Sequence, residues 1–245
     1  MTVPAEVAEE ARARLLDLVP AGFEEVDRGP AVELAAYVGP EGERHLRDVF
    51  DEVVSEPVAP DWQERWRAFH RPVLIGPLWV GPPWERPPDD TVSVVIDPGR
   101  AFGTGAHPST RLSLELLLGL DRGSLLDVGC GSGVLAIAAA KLGFGPVEAI
   151  DLDPAAVEAA AANAERNETR VLVQAADALV ARFPPTDVAV ANIALEAVET
   201  IVPRLAAETI VTAGYLEAHR PALPGLRHRA RRTADGWAAD LYGRQ

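Results

Sequence analysis

The chain has 245 residues, a formal net charge of −14 and a single cysteine. The acidic balance argues against tight nucleic-acid binding, which rests largely on lysine and arginine meeting phosphates, and a lone cysteine excludes an internal disulfide. No stretch is apolar over the length of a membrane span, and the first residues, MTVPAEVAEE, have neither the basic start nor the apolar run of a signal peptide. We therefore expect a cytoplasmic protein with one large domain and one small one.

Residues 1–58 alternate short helical and extended patterns, which predict a small α+β domain. The predicted elements are a helix over 5–18, strands over 22–26 and 32–38, a helix over 41–50 and extended chain over 53–58. Residues 1–60 hold fourteen Asp and Glu against five Arg, a balance of −9. This surface would suit a basic protein partner, although a solvated face that confers solubility is the commoner meaning of acidic charge.

Residues 59–90 form a predicted connector that is helical at first and then rich in proline. Trp62 and Trp66 lie four residues apart, as on one face of a short helix, and we expect them to pack that helix onto the next domain. Six prolines between residues 71 and 89 predict mostly extended chain after it.

The stretch LLDVGCGSGVLAIAAA, residues 125–140, predicts a buried strand, a glycine turn and a helix. Its three glycines would let a ligand approach the backbone closely. Their spacing is GxGxG, and a dinucleotide fingerprint would need a small residue where Val134 stands. Asp127, just before the turn, would repel a pyrophosphate but attract the ammonium or sulfonium of S-adenosylmethionine. The loop therefore favours S-adenosylmethionine as the cofactor, with Cys130 as a small packing residue.

A second strand, residues 147–150, ends in Asp151, eighteen residues beyond Gly133. An acid at that spacing from a glycine loop can accept hydrogen bonds from both ribose hydroxyls of a nucleotide cofactor. Asp153 and Pro154 then begin a helix, with Asp153 as its N-cap and Pro154 as its first residue.

Later strands complete a predicted sheet. Residues 186–191 form a buried pattern that ends at Asn192, and the carboxyl end of such a strand is where parallel sheets place ligands. The remaining predicted strands cover residues 208–215, 227–231 and 236–242. We interpret the alternating arginines of the second of these as one solvated face rather than a nucleic-acid site.

Four further segments carry a resemblance to a known family. IDPGRAFGTGAHPSTR spans residues 96–111, DWQERWRAFHRPVLIGPLWVGPPWE spans 61–85, AIDLDP spans 149–154 and VANIAL spans 190–195. Together with the glycine loop, they resemble the ribosomal protein L11 methyltransferases (PrmA). The resemblance runs from about residue 61 to the C-terminus, and AFGTGxHPxT is the segment that general methyltransferases lack.

The resemblance implies an α/β fold, in which residues 91–245 form a Rossmann-like, seven-stranded methyltransferase domain after a small recognition domain. It implies transfer of methyl groups from S-adenosylmethionine to protein amines, namely a lysine side chain or the N-terminus of ribosomal protein L11. The partner is then a basic ribosomal protein that is bound transiently by a monomer, with no direct nucleic-acid contact.

Residues that match the family's motifs are candidate site residues. By the resemblance, cofactor contacts fall on Thr110, Gly129, Asp151 and Asn192. The site is lined by Phe102, Gly103, Thr104 and His107. The loop itself adds Asp127 and Gly131 as cofactor-binding candidates.

Methyl transfer to an amine asks mainly for geometry, because a neutral amine must lie in line behind the methyl carbon with water excluded. We hypothesise that Asn192 and nearby backbone carbonyls orient the amine and that Phe102 screens it. His107 could accept a proton or cap the helix that begins at Pro108, and capping is the simpler role.

The chain departs from the family pattern in two places. Asn192 is followed by Ile-Ala-Leu, where the family usually has Ile-Leu-Ala. Only Thr2 and Val3 stand where the family has a full first strand, so the recognition domain is expected to be trimmed or repacked.

Two other readings of the site stay open. One is a methyltransferase that acts on a small molecule or an RNA adenine, although an adenine enzyme would be expected to stack the base on an aromatic residue beside Asn192. The other is a non-catalytic module that binds S-adenosylmethionine, against which the intact Asp127, Asp151 and Asn192 count.

Overall fold

A computed structural model describes residues 1–4, 7–8, 11, 14–15, 18–19, 24–36, 38–50, 52–55, 71–97 and 105–244. The chain divides into two compact units, Met1–Gln63 and Glu64–Gln245. Within the described residues, no helix combines the length and the apolar character that crossing a membrane requires.

The first unit is built on a small antiparallel sheet. Its elements are strands β1 (Thr2–Pro4), β2 (Glu24–Asp27) and β3 (Ala31–Ala35) and helix α1 (Pro40–Val49). Strand β3 lies in the centre and pairs with both others. Ala8, Ala11 and Leu15 recur at spacings of three and four residues and are buried with Val32 and Leu34 of β3, as the predicted first helix requires.

The predicted connector contains strands as well as turns. Strands β4 (Val73–Ile75), β5 (Leu78–Gly81) and β6 (Val92–Val95) form a three-stranded sheet in the order β4-β5-β6. Ile75, Val80 and Val94 are buried in the same apolar core as the glycine-loop strand, so this sheet is part of the second unit. Proline does not prevent this pairing, because the prolines lie between the strands and not inside them.

A seven-stranded sheet forms the rest of the second unit, in the order β12-β13-β11-β10-β7-β8-β9. Its strands are β7 (Leu125–Val128), β8 (Val147–Asp151), β9 (Val171–Ala175), β10 (Thr186–Asn192), β11 (Ala207–Leu216), β12 (Leu226–Ala234) and β13 (Trp237–Arg244). Strands β7 to β11 pair in parallel, whereas β13 pairs antiparallel with both β11 and β12. The fold is therefore α/β and Rossmann-like, as the sequence predicts.

Helices cover both faces of this sheet. They are α2 (Pro108–Leu118), α3 (Val134–Lys141), α4 (Pro154–Arg166) and α5 (Leu195–Ile201), which continues into a 3-10 turn over Val202–Arg204. Two apolar cores result, one centred on α2 and α3 and the other on α5. Because both faces are covered, the central strands are apolar on both sides.

Parallel pairing brings three chain segments to one edge of the sheet. Strands β7, β8 and β10 are neighbours in register, with Val128 opposite Ile150 and Ala191. Strand β7 leads into the glycine loop, and strands β8 and β10 end in Asp151 and Asn192. Open parallel sheets bind ligands at such an edge, so the fold brings the sequence-predicted groups together.

Most predicted elements of the second unit are confirmed within one or two residues. Asp153 accepts a hydrogen bond from Ala155 N at 2.8 Å and caps α4, with Pro154 as its first residue. Strand β9 is missed by the sequence reading, because it is an edge strand whose side chains are all exposed or partly exposed. In the first unit, residues 53–55 have no regular structure, and the rest of the predicted extended segment lies outside the described residues.

A buried ion pair links strands β11, β12 and β13 of the sheet. Asp240 of β13 is 0% exposed and accepts hydrogen bonds from Arg231 Nη1 at 2.9 Å and Tyr215 Oη at 2.8 Å. His228 Nε2 lies 2.7 Å from its other oxygen. Three strands thus meet at one carboxylate, which would be left without its main charge partner if Arg231 were removed.

We expect Arg231→Leu to lower the free energy of unfolding by about 3 kcal/mol, because Asp240 would stay buried without its permanently charged partner. Arg232→Leu, at an exposed position of the same strand, is the matched control and should change it by less than about 0.5 kcal/mol. Urea denaturation measures both. Equal losses in the two variants would contradict a special role for the buried pair.

Candidate functional site

The glycine loop, residues 129–133, makes room for two neighbouring segments. Gly129 has φ +71°, and a Cβ built there would lie 2.4 Å from Ile193 Cγ2. Gly133 has φ +80°, and its Cβ would lie 3.1 Å from Ala160 Cβ of α4. These glycines are required both for the left-handed backbone and for the close approach of β10 and α4.

Hydrogen bonds hold the loop against the end of β8. Ile150 O accepts from Gly129 N at 2.9 Å and from Cys130 N at 3.0 Å. One carboxylate oxygen of Asp151 accepts from Gly131 N at 2.9 Å, and the other accepts from Asp153 N at 3.0 Å. The Asp151 carboxylate is thus held at a defined place beside the loop, and each of its oxygens can still accept another hydrogen bond.

Asp127 is a carboxylic acid in the interior, only 1% exposed. Its Oδ2 accepts from Ala136 N at 3.1 Å, in the first turn of α3, while Oδ1 has no partner among the described residues. Burial raises the pKa of Asp127 to about 7, against the smaller lowering effect of the Ala136 hydrogen bond. The side chain therefore stabilises the start of α3 with one oxygen, and its other oxygen can accept a further hydrogen bond.

Asn192 and Thr110 join the other half of the site. Asn192 is the last residue of β10, and its Nδ2 donates to Thr110 Oγ1 at 3.3 Å. Thr110 lies in the first turn of α2 and is 1% exposed. This bond sets the rotation of the amide, so the Asn192 side-chain oxygen has a defined direction at the edge of the sheet.

His107 caps α2. Its Nδ1 accepts from Ser109 N at 3.3 Å and lies 2.7 Å from Ser109 Oγ, and its ring packs edge-on against Trp237 at 4.5 Å. Partial burial lowers the pKa of His107, which favours the neutral ring that a capping acceptor must be. The structure thus supports the capping role expected from the sequence.

Several predicted residues fall outside the described part of the chain. They are Phe102, Gly103 and Thr104 of the upstream glycine segment and Trp62 and Trp66 of the connector. The segment resumes at Gly105, where φ is +87° and a Cβ would lie 2.4 Å from Val80 and 3.9 Å from Val134. Val134, a branched residue at the start of α3, therefore faces this second glycine segment.

Two contributors were missed by sequence reasoning. Ile193 lies between Gly129 and Gly214, since a Cβ on Gly214 would come within 2.3 Å of Ile193 O. Asn163 of α4 donates to Ser132 O in the glycine loop at 3.0 Å. The sequence signal for Asn163 was an asparagine within an alanine-rich helix. Ile193 carried no such signal, because it has the pattern of an ordinary apolar residue.

Cys130 and a large groove do not contribute to this site. Burial raises the pKa of the Cys130 thiol far above its usual range, as a packing residue requires. A groove of about 880 Å³ lies at the opposite, amino ends of β8 and β9 and is lined by residues such as Phe144 and Val147. None of the predicted site residues that the structure describes lines it, so converging groups and not cavity size locate the site.

Comparison with known proteins gives one consistent family. The profile of the family described as "Ribosomal protein L11 methyltransferase (PrmA)" matches residues 34–218. The ribosomal protein L11 methyltransferase of Shewanella pealeana is 43% identical over 192 residues, which are 74% of this chain and 61% of that protein. That of Shewanella sp. strain ANA-3 is 38% identical over 213 residues, 82% of this chain and 67% of that protein.

A solved structure agrees with this result. The crystal structure of the ribosomal protein L11 methylase from Lactobacillus delbrueckii subsp. bulgaricus superimposes with a TM-score of 0.63 at 27% identity. The match covers 72% of this chain and all of that chain. The present chain spans about three-fifths of the length of the Shewanella pealeana relative.

We expect Gly129→Ala to lower the free energy of unfolding by about 3 kcal/mol, from left-handed backbone strain and the clash with Ile193. Ile193→Ala removes the clashing Cγ2, so in that background Gly129→Ala should cost only about 1–2 kcal/mol. Urea denaturation of the four proteins measures the coupling. Strict additivity would contradict the contact.

Asp127 should make stability fall as pH rises from about 4 to about 7. In that window the folded protein holds the proton on Asp127 and the unfolded chain has released it, because the folded pKa is raised. Asp127→Asn removes this titration. Between pH 4 and pH 8, the free energy of unfolding of the variant should therefore rise relative to that of the wild type by an amount of order 3 kcal/mol.

Thermal and urea unfolding at each pH, without cofactor, measure this difference. Glu208→Gln, at an exposed position of β11, controls for loss of one negative charge. Parallel pH profiles for wild type and Asp127→Asn would show that Asp127 is not protonated in the folded state near neutral pH.

Proposed function

Because this chain belongs to the ribosomal protein L11 methyltransferase family, we propose that it transfers methyl groups from S-adenosylmethionine to amino groups of ribosomal protein L11. The observation that carries the proposal is the meeting of the glycine loop, Asp151 and Asn192 at one edge of the sheet. A nucleotide cofactor and an amine can be held side by side there.

The residues at this edge fit S-adenosylmethionine. Gly129 and Gly131 present backbone without side chains, and Asp151 can accept the ribose hydroxyls with the capacity that its backbone donors leave. The Oδ1 of Asp127, which has no partner among the described residues, is a buried acceptor that suits a donor or a positive charge beside it. Bound there, S-adenosylmethionine supplies an electrophilic methyl carbon on a sulfonium.

The acceptor in this proposal is a lysine side chain or the N-terminus. A free lysine has a pKa of about 10.4, so few amines are neutral at pH 7, and an apolar site raises that fraction. Asn192, oriented by Thr110, accepts the amine's hydrogen bond and aligns its lone pair. Phe102, with Gly103 and Thr104, screens the amine from water.

His107 has a positioning role in this scheme. Its Nδ1 is used by the cap of α2, the helix that carries Thr110. The ring thereby fixes the first turn of α2, and the proton lost by the amine passes to solvent.

The smaller unit is assigned to recognition of the substrate. Residues 1–58 form the recognition domain in this proposal, and residues 91–245, together with strands β4 and β5 of the 59–90 connector, form the methyltransferase domain. The excess of acidic residues in the first quarter is complementary to a basic ribosomal protein. In this proposal the enzyme acts as a monomer in the cytoplasm, without direct contact to nucleic acid.

The direct test combines the purified chain with purified L11 and methyl-labelled S-adenosylmethionine. Mass spectrometry of L11 should show added methyl groups on lysine or on the N-terminal amine. A parallel incubation with cell extract identifies other acceptors. Label confined to small molecules or RNA would overturn the protein substrate, and cofactor binding without any product would leave only a binding module.

Asn192→Ala should lower kcat by about 100-fold while the dissociation constant for S-adenosylmethionine changes much less, because the amide acts on the amine. Thr110→Val keeps the shape but removes the acceptor that orients Asn192, and should lower kcat by about tenfold. Thr110→Ser keeps the hydroxyl and is the matched control. Initial rates with L11, together with calorimetry, measure both constants; normal turnover by Asn192→Ala would contradict the orienting role.

A further inference from the structure

Asn163 of α4 bridges two backbone segments that are distant in sequence. Its Nδ2 donates to Ser132 O at 3.0 Å, and its Oδ1 accepts from Asp97 N at 3.0 Å. The side chain is 2% exposed, so neither bond can be replaced readily by water. A neutral amide can donate to one backbone group and accept from another at the same time, whereas an ionised carboxylate can only accept.

On the loop side, Asn163 fixes the orientation of one peptide plane. The plane between Ser132 and Gly133 is held by Gly133 N, which donates to Cys130 O at 2.8 Å, and by Asn163 at the carbonyl. The preceding residue, Gly131, is bound to Asp151. Asn163 is thus a third attachment of the loop, after Ile150 and Asp151.

On the other side, α4 holds the end of β6. Asn167, one turn after Asn163, accepts from Val95 N at 2.8 Å and donates to Val95 O at 2.6 Å. Arg166 pairs with the Asp97 carboxylate at 3.3 Å on the surface. The glycine loop and the end of the three-stranded sheet are therefore joined through α4. Among the hydrogen bonds of the described residues, those of Asn163 reach both the loop and Asp97, just after β6.

Close packing of α4 makes the bridge possible. Gly133 meets Ala160 across a gap that a Cβ would fill, and Ala160 lies one turn before Asn163. The two small residues let the helix backbone approach the loop, which brings a side chain as short as asparagine within reach of Ser132 O.

We propose that Asn163 is a positioning residue for the methyl donor. Its amide bridges the Ser132 carbonyl and Asp97 N, and this bridge preorganises the glycine loop for S-adenosylmethionine. The inference rests on the proposed function only in taking this loop as the cofactor site. It separates Asn163 from Asn167, an amide of similar burial whose side chain bonds to Val95 and to Asn163 O but to no described atom of the glycine loop.

The matched pair Asn163→Leu and Asn167→Leu tests this. Both substitutions remove buried hydrogen bonds from α4 and both lower stability in urea denaturation. Calorimetry with S-adenosylmethionine separates them, since the dissociation constant should rise about tenfold for Asn163→Leu and less than twofold for Asn167→Leu. A merely structural role would move both dissociation constants alike.

Asn163→Asp provides a second test if the leucine variant fails to fold. When protonated, aspartic acid can donate to Ser132 O as the amide does; when ionised, it cannot. Relative to wild type at each pH, this variant should bind S-adenosylmethionine nearly normally at low pH and about tenfold more weakly at high pH. Asn167→Asp should show no such divergence from wild type.

The outcomes are distinguishable. If the wild-type chain does not bind S-adenosylmethionine, the proposed function fails. If the wild type binds but Asn163 and Asn167 variants shift its dissociation constant equally or not at all, only the role of Asn163 is overturned.

Discussion

The close approach of three backbones around Ile193 is the constraint on which the rest of the site depends. Gly129 and Gly214 both adopt left-handed φ values, and a Cβ on either would collide with Ile193. Because interiors are close-packed and resist small shifts, this contact determines how far the glycine loop lies from the end of β10. The relative position of the glycine loop and Asn192 follows from it, as does the reach of Thr110 to the amide.

Polar groups buried beneath the loop then give the site its electrostatic character. Asp127 stabilises the start of α3 with one oxygen and keeps the other without a described partner, at a cost in stability that grows as the carboxyl ionises. Asp151 and Asn163 attach the loop from two further directions. A loop held by backbone hydrogen bonds on several sides is preorganised, so little ordering is left to occur when a ligand binds.

Much of the fold could be predicted from local patterns. The apolar runs of β7, β8 and β10, the glycine turn, and the Asp153–Pro154 helix start each carry a signal within a few residues. Strand β9 carries a weak signal because an edge strand needs no buried face, and the strands between residues 73 and 81 are obscured by the prolines around them. Pairing across such distances depends on long-range contacts, which no local pattern contains.

For the site, the sequence by itself determined which chemistries are available: glycines where backbone must be exposed, Asp127 and Asp151 beside them, and Asn192 at a strand end. Tertiary structure decided how these groups are used. It turned Asp127 into a helix-stabilising acid, gave His107 to the cap of α2, and brought in Ile193 and Asn163, for which the sequence predicted no role in the site. The physical reason is that residue type determines whether a side chain can donate or accept a hydrogen bond and how much space it occupies. Which partner it meets depends on which backbones the packed core brings within about 3 Å.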